Sequence, residues 1–80
     1  MKPDRIAIQT LIDEKSKMLL SYIRDKHKLS WDEAMIKMTG YMTYSCLIDE
    51  STEYIYESDE FIKYKYDLEE AGNMTEWAKR

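Results

Sequence analysis

Cysteine, histidine, proline and glycine are scarce in this chain of 80 residues: one, one, one and two. The single thiol, Cys46, excludes a disulfide within the chain and suits a reducing, cytoplasmic setting. One imidazole, His27, and one thiol are too few for a zinc site, and no third group stands out to orient a Cys–His pair. There is no glycine-rich phosphate loop, no nucleophile elbow and no paired-carboxylate signature. No apolar run approaches the ~20 residues that span a bilayer, and none of signal-peptide type follows the opening MKPDR. These scarcities assign no catalytic residue, no metal and no cofactor. The expectation is a protein that is not an enzyme and does not enter a membrane.

What is present is a 44% hydrophobic, 35% charged composition, which belongs to globular domains rather than to disordered or membrane-embedded chains. The length suits one small domain, residues 1–80, with a thin core that packing alone, or packing and a homodimer, must stabilise. The net charge of −4 is unevenly divided. Residues 1–28 hold seven Lys/Arg against four Asp/Glu, and residues 29–80 hold five against twelve. Such a division suits a charged partner, or two ordinary solvated faces. No basic cluster follows Lys28 to neutralise phosphates, so nucleic acid is not the expected partner.

Periodicity predicts an all-α fold, a compact bundle of three main helices over about 4–27, 31–48 and 59–71. In the first, Ile8, Leu11, Ile12, Leu19, Tyr22 and Ile23 share a face that Lys15 interrupts, and Pro3 is tolerated in the opening turn. Ser30 with Glu33 spells a capping box for the second, whose stripe is Trp31, Ala34, Met35, Met38 and Met42, with Gly40 a point of bending or breakage. DESTE reads as a loop, and EYIYE as a short extended connector in which Tyr54 and Tyr56 share a side. Ser58 caps the third helix, where Phe61, Ile62, Lys65, Leu68 and Glu69 recur at helical spacing, and Gly72 stops it. From Asn73 a mobile tail is expected.

Four candidate sites follow from these residues. Asp49, Ser51, Glu53, Glu57 and Glu60 fall at calcium-loop positions, but Tyr54 stands where the sharp turn requires glycine, so no metal is assigned. His27 suits the C-terminal end of its helix, and Cys46 suits apolar packing. Met18, Met35, Met38 and Met42 form either core filling or an adaptable groove. Exposed tyrosines beside acids favour interfaces, which makes Tyr41, Glu53, Tyr54, Tyr56 and Glu57 the candidate partner-binding set; the same tyrosines would equally pack the connector down. A rival reading makes RIAIQT a β-ribbon carrying Arg5, Ala7 and Gln9, the start of a dimeric ribbon–helix–helix DNA-binding autoregulator. A helix-turn-helix through TGYMTYSCLIDES fails, because its second helix offers no Arg or Lys to DNA.

At LSWDEAM, TYSCLI and YIYESDEFI the chain resembles a family of short bacterial proteins built around a domain of unknown function. The matching positions are Leu29, Ser30, Glu33 and Ala34, then Thr43, Tyr44, Cys46 and Leu47, then Ser58, Asp59, Phe61 and Ile62. The family pattern has a serine where this chain has Tyr41. The resemblance implies an all-helical fold and supplies no functional residues. Some such proteins are encoded beside ADP-ribosyltransferase-like toxin genes. It thereby implies a protein partner, with the chain an antitoxin-like or accessory interaction module in the cytoplasm.

Overall fold

The computed structural model describes residues 5–79, and the first periodic stretch forms α1 over Arg5–His27. The expected start at Asp4 and the place of Pro3 lie outside the described residues. Lys28 closes α1 in the left-handed conformation (φ 54°), so that the Leu29 N–H reaches back to the Arg24 carbonyl at 3.0 Å. Arg24, Lys26 and His27 occupy the last turn, where the helix dipole favours positive charge. Lys15, the interruption in the apolar face, reaches Asp59 at 2.7 Å.

The capping box forms as spelled. The Glu33 N–H donates to Ser30 Oγ at 3.1 Å and the Ser30 N–H donates to Glu33 Oε1 at 2.9 Å, opening α2, Trp31–Thr39. The expected helix over 31–48 is two helices, broken at Gly40–Tyr41 and resumed as α3, Met42–Ile48. Tyr41 is extended (φ −100°, ψ 142°) and offers no side-chain cap, so α3 needs its first amides satisfied from elsewhere in the fold.

The extended connector is a correction. Asp49 accepts from the Ser51 N–H at 3.0 Å and opens a 3-10 turn, Glu50–Thr52; a second, Tyr54–Tyr56, follows across Glu53, which is left-handed at φ 61°. Alternate residues share a side in a strand, whereas a 3-10 turn rotates about 120° per residue and separates them. Tyr54 therefore points into the core at 7% exposure and Tyr56 outward at 53%.

Ser58 caps α4, Asp59–Glu70, accepting from the Phe61 N–H at 3.1 Å. Gly72 ends it at φ 76°, and the Asn73 N–H bonds the Leu68 carbonyl at 2.9 Å. Beyond Gly72 the expected mobile tail is replaced by α5, Met74–Trp77, held on α4 and α3. Lys65, buried to 2% exposure, donates its ammonium to the Trp77 and Lys79 carbonyls, and Trp77 Nε1 donates to Thr43 Oγ1 at 2.9 Å.

The fold is all-α, without a strand among the described residues. Residues 5–10, which the ribbon–helix–helix reading needs as a strand, are the first turns of α1. The core gathers where α1 crosses α2, α3 and α4, around Leu19, Ile23, Met38, Leu47, Ile62 and Tyr66.

Candidate functional site

The five residues expected to form one partner-binding surface do not converge. Tyr54 is core, set edge-on against Phe61 with ring centroids 5.5 Å apart. Tyr41 is half-buried and stacks on Tyr66 at 4.9 Å. Glu57 is half-buried; only Glu53 and Tyr56 are exposed. The fully buried Tyr66, rather than Leu68, anchors α4.

Around Tyr66 a polar network clamps α1 to α4. The Tyr22 phenol donates to Asp67 at 2.8 Å, Lys26 bridges Asp67 at 2.7 Å and Glu70 at 3.0 Å, and His27 Nε2 lies 2.9 Å from the Tyr66 hydroxyl while also contacting Glu70. Burial pushes the Tyr66 phenol well above its ordinary value, with the Glu70 carboxylate adding to it. Burial also pushes Glu70 up, but hydrogen bonding and charge from Lys26, with His27 and Tyr66, outweigh this and hold it below the usual carboxylate value. His27 is thus part of an interhelical clamp as well as a helix end. Cys46, raised by burial and then by Asp49 and Glu69, is a poor thiolate. Among the described residues no three His, Cys, Asp or Glu side chains are placed to hold a metal, and no helix is long and apolar enough to cross a membrane.

The exposed apolar surface collects elsewhere. The methionine stripe splits: Ala34 and Met38 enter the core, while Trp31, Met35 and Met42 stay about half exposed, beside Ile36 at 74%. Between α1, α2 and α3 runs an open groove of about 410 Å³ lined by Ile12, Leu20, Met35, Met38, Tyr44 and Ile48, and by the polar Gln9, Asp13, Ser16 and Lys17 of α1. Gln9, Ile12 and Ile48 also line a second depression that continues past Ile8 to Ile6, itself 79% exposed, and ends at the Arg5–Glu50 ion pair of 3.5 Å. At the other end, one turn beyond Leu20, the Arg24 guanidinium covers the Trp31 ring at 4.4 Å from its centroid.

The two depressions share Gln9, Ile12 and Ile48, so a groove of mixed apolar and polar lining follows α1 from Ile6 to Leu20, walled by α2 and α3. Individual exposed apolar residues are ordinary on any surface; several lining one groove are not. Trp, Met and Arg are also the types enriched where proteins dock. Sequence reasoning counted Met35 with the core stripe and passed over Ile6, Ile36 and Ile48. The available signal was that these isoleucines fell outside the stripes assigned to the core. No family model, curated protein or solved structure matches the chain.

Proposed function

We propose that the protein is a non-enzymatic protein–protein interaction module whose docking face is the α1/α2/α3 groove and its Trp31–Met35 ridge. The groove from Ile6 to Leu20 carries this reading, because it joins apolar side chains of three helices, Ile12, Met35 and Ile48 among them, to polar ones. His27 and Cys46 support the non-enzymatic part: the first is engaged by Tyr66 and Glu70, and the second is held as a thiol.

The resemblance to the short helical bacterial family supports a cytoplasmic partner encoded alongside, with this chain neutralising or escorting it. That choice rests on analogy with the genes beside that family. The test is co-expression with the product of the adjacent gene and capture through a tag on this chain. Met35→Glu should abolish capture while leaving the helical circular-dichroism signal intact, and Tyr56→Ala should not. Capture that survives Met35→Glu and fails with Tyr56→Ala would return the docking face to the connector.

A further inference from the structure

We propose that the face takes a second copy of this chain, the two α1 helices lying antiparallel about a two-fold axis between Asp13 and Lys17. This rests on the reading of the groove as a docking surface and names its occupant. The outer stripe of α1 runs Ile6, Thr10, Asp13, Lys17, Leu20 and Arg24, spaced alternately four and three residues apart, so these side chains line one side of the helix. Asp13 and Lys17 sit at its centre with opposite charges. They form no ion pair with each other: Asp13 accepts from Gln9 Nε2, at 3.0 Å, and the Lys17 ammonium has no acidic partner among the described residues.

A two-fold interface places residue i against residue j and residue j against residue i. With the axis midway between them, Asp13 of each copy meets Lys17 of the other, giving two equivalent pairs. The ends meet under the same operation. Ile6 and Arg24 are equally far from the axis, roughly 14 Å along the helix at the ordinary rise. The exposed Ile6 of one copy is thereby delivered to the Arg24–Trp31 edge of the other. Ile12, Met35 and Ile48 of each copy flank the seam on its α2/α3 side. At its centre the stripe is complementary to itself reversed in charge, Asp13 against Lys17.

Sedimentation equilibrium of the full chain from low to high micromolar concentration tests this, with circular dichroism as the folding control. The wild type should be a dimer. Lys17→Asp and Asp13→Lys, both on exposed side chains, should each weaken it roughly tenfold or more by placing like charges together. The double exchange should restore it. Because the two reversals move net charge in opposite directions, loss in both cannot come from overall repulsion. A monomer at every concentration, or a double exchange no better than the singles, overturns the proposal. A monomeric wild type whose capture of the adjacent gene product is still abolished by Met35→Glu would leave the docking face standing and remove only self-pairing. A dimer with the exchange pattern, and capture indifferent to Met35→Glu, would keep the face for self-pairing and put the adjacent gene product elsewhere.

Discussion

Glu69, near the end of α4, caps α3 through Thr43: Glu69 Oε1 accepts from both the Thr43 backbone N–H and the Thr43 hydroxyl at 2.8 Å. Its second oxygen takes the Met42 N–H at 2.6 Å. A seven-residue helix with no cap of its own thus starts on a carboxylate from 26 residues downstream. Glu69→Ala should cost about 2 kcal/mol, since it orphans first-turn amides that a charged acceptor now satisfies. Thr43→Val should cost about 1–2 kcal/mol, and the double variant less than the sum, because the two side chains share one hydrogen bond. Urea titrations of the four proteins measure this; strict additivity would mean the cap contributes nothing as a unit.

Tyr54 and Tyr56 should separate sharply. Tyr54→Ala removes a core ring set against Phe61 and should cost about 3–4 kcal/mol, whereas Tyr56→Ala should stay within about 0.5 kcal/mol. Thermal denaturation of each decides it. Equal losses would mean that Tyr56 also packs.

The legible part of this molecule was what adjacent residues write for themselves. Ser30 with Glu33, Ser58 and Gly72 form the caps and stop that their spacing spells, because these motifs close within one turn. Gly40 was recognised as a weak point, yet whether it bends or breaks the helix depended on Glu69 arriving from α4. The same holds for the connector: alternation suggested a strand, but Glu53 adopts a left-handed turn that no local pattern announces. Lys65 is a charged residue on an apolar face, and its burial makes sense only with the Trp77 carbonyl above it. The docking strip was missed for a related reason. Periodicity identifies which residues of one helix share a side, whereas a groove is a property of three helices together.

α5 should be held chiefly by that lysine. In a Trp31→Phe background, which leaves Trp77 as the only indole, Lys65→Met should shift Trp77 emission to the red and raise its quenching by acrylamide. Methionine keeps the apolar stem but leaves the α5 carbonyls without their cation. Unchanged emission and quenching would mean that packing alone holds α5.

The α1–α4 clamp should make the protein acid-sensitive. Glu70 is held below its ordinary carboxyl value of 4.5, so its stabilising contribution is complete above that pH and is lost as pH falls through the lower, folded-state value. Tyr66 is raised, so its contribution is complete below about pH 10 and fades only in stronger alkali. Stability measured against pH should therefore fall on the acid side, and Glu70→Gln should lower the neutral plateau and flatten that limb. An acid limb left unchanged by Glu70→Gln would assign the sensitivity to other carboxylates.

The docking face itself is tested most directly by a photo-crosslinking amino acid placed at Met35 and, separately, at Tyr56, in cells expressing the chain with its adjacent gene. The account predicts a discrete crosslinked product from position 35, twice the chain mass if the groove holds a second copy, and none from position 56. A product from position 56 with none from position 35 would contradict it, and would put the interaction on the tyrosine-bearing turn instead.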